Sequence, residues 1–466
     1  MKKLILVIFS LFFVVSLEPI FAQTTSPGFA NPTNISGSAD SQMPQAIMSD
    51  KGIFVVWIET SSDKSDIFFT KSTDGGATFE SPVNLSGATN GQSSSPVLAQ
   101  KDNNLYVVWQ SALSGNSTII FMKSSDGGTS FEKPIRISDP LKNSAFPQIS
   151  VSENHVYFTW LEKSESGSTN VIVDKTDDKG NSFTAPMAIT NNAGNAGLPK
   201  IFSEDNGVYL TWEDNSTKNY DIFLAKSNDY GNTFDSPMDI SDNTGQSGTP
   251  QIVVSKNNVY AVWMDNTSGN YDIIFAKSTD GGKSFENPVN VSQTGLDSGY
   301  PQLTISGDSV YVTWTETLSN DNYDVYFAKS TDGGTTFDKP INLSNNAGGS
   351  GWPQVAVDGN IYVSWVDATT GNYETFITKS SDGGITFEKP VIVTDTKSEA
   401  YYNTMAATGN VVYMVWQVSD QGNHSILFTK STSFVPEFGP YAMIALVASV
   451  FSILVISFRS KLKLQV

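Results

Sequence analysis

The chain has 466 residues, with 47 Asp and Glu against 28 Lys and Arg, a net charge of −19 and no cysteine. That charge excludes broad electrostatic contact with nucleic acid or anionic lipid through the body of the protein. The missing cysteines exclude disulfides, thiolate chemistry and cysteine-metal sites. With 12% aromatic residues and 36 glycines, the chain has the material for a large, turn-rich globular core. At its start, Met1-Lys2-Lys3 and the apolar run over residues 4–15 predict an export signal spanning 1–22, cut after Ala22.

The body, residues 23–434, is repetitive. Tryptophans recur at Trp57, Trp109, Trp160, Trp212, Trp263, Trp314, Trp365 and Trp416, 51 or 52 residues apart, and the ninth, Trp352, falls outside the series. A period of this size means an array of supersecondary units. Each unit reads as four short strands. The sixth, for example, has a first strand opened by Pro301-Gln302, a second closing at Trp314, a third over 324–329 and a fourth over 340–344. Four strands per unit of about 50 residues predict an all-β fold, an eight-bladed propeller of four-stranded antiparallel blades.

Between the third and fourth strands stands one recurring phrase, Ser/Thr-x-Asp-x-Gly-x-Ser/Thr-Phe. Its aspartates are Asp74, Asp126, Asp178, Asp229, Asp280, Asp332 and Asp382, spaced 50 to 52 residues apart. This is turn chemistry: Asp accepts from backbone N–H groups, Gly supplies positive φ, and Ser/Thr adds a second side-chain bond. Lys71, Lys123, Lys277, Lys329 and Lys379 precede the phrase, and Glu80, Glu132, Glu286, Asp338 and Glu388 follow it. These read as cross-strand ion pairs that set register.

The eighth unit breaks off at Ser431-Thr432-Ser433-Phe434 without a fourth strand. Near the start of the chain, Phe29-Ala30-Asn31-Pro32-Thr33-Asn34-Ile35-Ser36 matches Phe79-Glu80-Ser81-Pro82-Val83-Asn84-Leu85-Ser86. The two pieces are complementary halves of one repeat. The N-terminal strand is therefore expected to pair with the third strand of the last blade and close the ring, removing two sheet edges. After the body come Pro436-Glu437-Phe438-Gly439 in a linker over 435–440, an uncharged apolar run over 441–458 and a basic tail, 459–466. The run predicts one C-terminal transmembrane helix, with the tail cytoplasmic and the body outside the cell.

The aspartate phrase resembles the Asp box, or BNR repeat, of the sialidase-like propellers, over about residues 29 to 434. The resemblance implies that the boxes are structural and that ligands bind on the opposite face. The C-terminal three-part segment resembles the PEFG-type sorting signal of archaeal surface proteins, which implies an archaeosortase-like processing partner. Sialidases hold the substrate carboxylate with three arginines. Only Arg136 and Arg459 exist here, so that clamp cannot be assembled.

Two sets of residues are candidate sites. One lies just before each Pro-Gln, near the channel mouth, where the aromatics Phe146, Tyr300, Trp352, Tyr401 and Tyr402 cluster unevenly. They either plug the mouth or offer a platform for stacking sugars or a peptide. The other is acidic: Asp214, Asp265 and Glu316, two residues after a Trp, stand opposite Asp221, Asp272 and Asp324 on the third strand. Such pairs repel unless turn N–H groups or calcium, an all-oxygen cation site, compensate them. The expectation is a cell-surface-anchored, non-catalytic propeller that binds glycans or envelope proteins. The alternative is an extracellular glycoside hydrolase or lyase other than a sialidase.

Overall fold

The computed structural model describes residues 28–431 except 38–39, 50, 63, 90, 114, 192, 320–321, 395–397, 409–410 and 421. The expected export signal, sorting motif, membrane helix and basic tail lie outside the described residues. Among the described residues no helix is long and apolar enough to cross a membrane.

Eight separate four-stranded antiparallel sheets form the blades. Blade 6 is typical, with strands Asp297–Ser306, Ser309–Ser319, Asn322–Ser330 and Ile341–Asn342. Its fourth strand is a two-residue edge, shorter than the pattern suggests, and short edges resist pairing with foreign strands. The first strand starts upstream of Pro301 and does not open on it. A bulge between Gly299 and Gln302 takes the proline inside the strand, where its missing N–H costs no ladder bond.

Blade 8 consists of Glu399–Thr408, Val411–Asp420, Asn423–Lys430 and the N-terminal Thr33–Asn34. Thr33 pairs with Phe428 and Asn34 with Leu427. The bonds reproduce those inside a continuous blade. Ile35 N–H donates to Ile426 O at 2.9 Å, as Leu85 N–H does to Ile67 O at 2.8 Å. Ile426 N–H donates to the Ser36 hydroxyl at 2.9 Å, as Ile67 N–H does to Ser86. The ring closes as the sequence leads one to expect.

Packing between blades holds the ring. Each repeat tryptophan is buried to below 2% exposure. Trp314, with Val310 and Val312, packs on Val262, Ile273 and Phe275 of the preceding blade. The seam is built alike, Trp57, Ile53 and Val55 of blade 1 meeting Val415, Ile426 and Phe428 of blade 8. Truncating one such tryptophan costs about 3–5 kcal/mol, because the cavity lies between two rigid sheets.

The Asp boxes join neighbouring blades. In blade 6, Asp332 Oδ1 accepts from the Ser330 hydroxyl at 2.7 Å and the Thr336 N–H at 2.9 Å, and Oδ2 accepts from the Thr336 hydroxyl at 2.7 Å. These donors hold the carboxyl well below the usual range, at about 2. Gly334 has φ +89°, and a Cβ there would lie 2.3 Å from Phe275 of the preceding blade. Glycine is required by both conformation and approach. Phe337 completes the dock edge-on against Phe275, with centroids 5.1 Å apart.

The lysines before the boxes do more than expected. Their predicted partners are distant and exposed: Lys71–Glu80 is 3.6 Å, Lys123–Glu132 3.7 Å and Lys329–Asp338 3.9 Å. The short bonds run to the box of the next blade. Lys71 Nζ donates to Gly127 O at 3.0 Å, Lys226 to Gly281 O and Lys329 to Gly383 O, both at 2.8 Å. Lys430 donates to Gly75 O at 2.6 Å and so staples blade 8 to blade 1. A buried ammonium gains more from a preorganised carbonyl than from a solvated carboxylate.

One residue breaks the pattern at a cost. Asp174 on the third strand of blade 3 is 3% exposed, where blades 1, 7 and 8 carry Thr70, Thr378 and Thr429. Each of those threonines donates to a backbone carbonyl at 2.6 Å. Asp174 instead accepts from the Thr184 hydroxyl and the Lys175 N–H, both at 2.8 Å. Burial outweighs these donors and pushes its pKa up to about 6 from 3.8. A raised folded-state pKa means that ionisation opposes folding, so this site loses stability as pH rises from about 4 to about 6. Asp174→Asn is expected to be more stable than the wild type at pH 7.5, by up to about 3 kcal/mol. The advantage should shrink towards pH 4, as read by denaturant titration at both pH values.

Candidate functional site

The site grows from the first-strand bulge. In all eight blades the bulged residue adopts a left-handed backbone, with φ between +45° and +54°: Met43, Ser95, Phe146, Leu198, Thr249, Tyr300, Trp352 and Tyr402. None is glycine, and the left-handed region costs an L-residue about 1–2 kcal/mol. Seven of these residues precede a proline, but Tyr402 precedes Asn403 and has the same φ, so the bulge register sets the conformation. The side chain is thereby turned out of the sheet. Phe146, Tyr300 and Tyr402 are 55% exposed and Trp352 is 56% exposed.

The bulges open on the face that carries the hairpins between second and third strands, opposite the Asp boxes. Grooves form between successive bulge residues. The one between Tyr300 and Trp352 has a volume of about 520 Å³. Tyr323 and Tyr373, from the hairpins of blades 6 and 7, wall it with Tyr300 and Trp352, and Gly349, Ser350 and Gly351 lie between. Among the described residues no charged side chain lines it. A second groove, of about 310 Å³, shares Tyr300 and Tyr323 and continues towards Thr249 and Tyr271. Tyr300, Trp352 and Tyr402 thus form an arc over blades 6, 7 and 8, with open space between the rings.

Tyr401 differs from its neighbour. It sits where blades 4 to 7 have glycine, is half-buried, bonds through its hydroxyl to Glu399 and leans on Tyr373 at 5.4 Å between centroids. It supports the arc. Phe146 stands apart, in a groove of about 410 Å³ that also contains Leu161, Leu198 and Glu213. Glu213 is the one acid at its repeat position. Burial raises its pKa, and the Thr249 N–H at 3.3 Å offsets this in part.

Sequence reasoning passed over Tyr323 and Tyr373, whose signal was a Tyr closing the Asn-Tyr turn of several hairpins. Inside the arc, Gln45, Gln251, Gln302, Gln354 and Lys200 line a cavity of about 790 Å³ with Trp352 and Tyr402 at its edge.

The acidic pairs meet as the spacing predicts: Asp214 faces Asp221, Asp265 faces Asp272, and Glu316 faces Asp324. Their compensation comes from donors within the fold. Asp214 accepts from Ser216 N–H at 2.8 Å and Asp265 from Thr267 N–H at 2.9 Å. Glu316 accepts from the Ser298 hydroxyl at 2.6 Å and from Trp314 Nε1–H at 2.8 Å. Asp221 and Asp324 accept from Asn219 at 2.8 Å and from the Ser344 hydroxyl at 2.8 Å, and Asp272 from the Ser268 hydroxyl at 2.7 Å.

Among the described residues no three acids or histidines gather as metal ligands. The fold itself thus compensates the charge of the pairs. Arg136 lies on the outer strand Ile135–Arg136 of blade 2, outside the arc's blades.

No protein-family model matches the chain, and no curated protein matches it. Solved structures do. The polysaccharide lyase Uly1 aligns over 89% of this chain and 94% of its own, with a TM-score of 0.50 at 9% identity. The phage phi92 endosialidase covers 88% of this chain and 70% of its own, at 0.44 and 12%. The intramolecular trans-sialidase from Ruminococcus gnavus covers 85% and 95%, at 0.35 and 15%. At 9% identity the likeness to Uly1 is one of fold alone.

Because N–H and O–H donors already fill the carboxylate pairs, EDTA is expected to leave the melting temperature unchanged. A fall with chelator that added calcium reverses would show a cation at these hairpins.

Proposed function

We propose that the protein is anchored at the cell surface and binds glycans, without turning them over, on the aromatic arc of blades 6, 7 and 8. The carrying observation is that Tyr300, Trp352 and Tyr402 are each more than half exposed and each held in a left-handed backbone. The bulge imposes that backbone on every blade, and on three consecutive blades it displays large aromatic rings to water, which points to a ligand for those rings. Sugar rings present flat C–H faces to aromatics and hydroxyls to the groups around them, and the groove at Tyr300 and Trp352 is of ligand-site size.

Anchoring rests on the export signal over 1–22, the Pro436-Glu437-Phe438-Gly439 motif with its archaeosortase-like partner, the apolar run 441–458 and the basic tail. The non-catalytic reading rests on the acids. Hydrolases use a pair of carboxyl groups free to exchange protons, and here the paired acids are bonded into the hairpins.

Glycan-array binding by the full-length protein tests the reading. Tyr300→Ala and Trp352→Ala are each expected to weaken binding by about fivefold or more, as about 1 kcal/mol of aromatic contact requires. Binding unchanged in both variants would sink the arc as the site. Turnover of a polysaccharide that depends on one acid of this face would favour a hydrolase or lyase instead.

A further inference from the structure

The cavity inside the arc has a different chemistry from the arc itself. Its lining comes from blades 1, 4, 5, 6, 7 and 8, which places it on the ring axis. Six of its lining residues, one from each of these blades, stand two positions after the left-handed residue. In blades 1, 5, 6 and 7 that residue is Gln45, Gln251, Gln302 and Gln354, and in blade 4 it is Lys200.

Among the described residues no side chain hydrogen-bonds to these four amides or accepts from the Lys200 ammonium. The fully buried lysines of the box face behave otherwise than the half-buried Lys200: Lys71, Lys226 and Lys329 each find an oxygen on the next blade within 3.0 Å. Burial draws the pKa of Lys200 down, and no neighbouring acid offsets it. Glu213, on the strand beside it, is held by the Thr249 N–H and lines the groove at Leu198 instead. The fold thus gathers one cation and several amide donors around one void and leaves them without partners. Donors recessed in a cavity and left to water can be taken up by an acceptor-rich ligand.

We propose that this axial cavity binds the carboxylate of an acidic sugar, a hexuronate, with Lys200 supplying the charge and the glutamine amides the neutral donors. One ammonium matches one negative charge, whereas a dianionic phosphate would leave a charge uncompensated inside a protein of net charge −19. Amide N–H groups suit the oxygens of a planar carboxylate, and their carbonyls can accept from ring hydroxyls. That the carboxylate belongs to a sugar rests on the glycan reading above; the anion site rests on Lys200 and the cavity alone.

The test titrates the full-length protein with sodium glucuronate, glucose and glucose 6-sulfate by saturation-transfer NMR. Lys200→Gln supplies the residue that five other blades carry, and an unchanged melting temperature will show that it folds. Glucuronate is expected to bind more tightly than both other sugars, and Lys200→Gln to weaken it by about tenfold or more. Equal glucuronate affinity in wild type and Lys200→Gln would overturn the proposal. Preference for the sulfate ester would overturn the assignment to a carboxylate. Wild-type glucuronate binding in Tyr300→Ala, an arc residue outside the cavity's lining, would support the axial site even if the arc failed as a glycan platform.

Discussion

The constraint on which this structure depends is that no blade can bury its own core. Each sheet presents one apolar face forward and one backward, and its tryptophan is covered only when the preceding blade lies against it. A row of such units ends in two uncovered faces, and a ring has none. The chain meets this constraint by dividing one blade between its ends. Phe428 carries much of the junction: it pairs with Thr33, lies under Gly76 and stacks edge-on with Phe79, 4.8 Å between centroids. The seam therefore has the same parts as every other blade-to-blade contact.

The two faces of the ring divide the work. On one, the Asp boxes replace strand bonds with side-chain bonds, and the lysine of each blade reaches the box of the next. On this face the box carboxylates are held by Ser/Thr hydroxyls and backbone N–H groups, and Lys71, Lys226, Lys329 and Lys430 by carbonyls of the next blade. On the other, the bulges turn eight side chains outward and leave grooves between them. Rigidity on the box side allows the opposite face to hold strained backbone and exposed rings in fixed positions.

Much of this was legible in the sequence because the repeat enforces it. The tryptophan period set the blade count, and the match of residues 29–36 to 79–86 showed where the ring closes. The aromatic cluster was visible as an uneven column. What could not be read was conformation that no residue type announces. Pro-Gln looked like the start of a strand, while the bulge places proline inside it, and Tyr402 takes the left-handed form with no proline after it. The partner of each lysine was missed because the sequence shows the near carboxylate and hides the carbonyl of the next blade. Lys200, Glu213 and Asp174 were each readable in principle as departures from their columns. Their meaning depends on which side chains line the axis and which are buried, and packing alone decides that.

The central claim is that the ring is closed by a strand bonded as firmly as those within a blade. Hydrogen exchange of matched amides measures this directly. Ile35 and Ile426 at the seam form the same bonds as Leu85 and Ile67 in blade 1. The account predicts protection at the seam within about tenfold of that in blade 1, since both open only when a blade is lost. Exchange of Ile35 and Ile426 at unfolded-chain rates, with Leu85 and Ile67 protected, would contradict it.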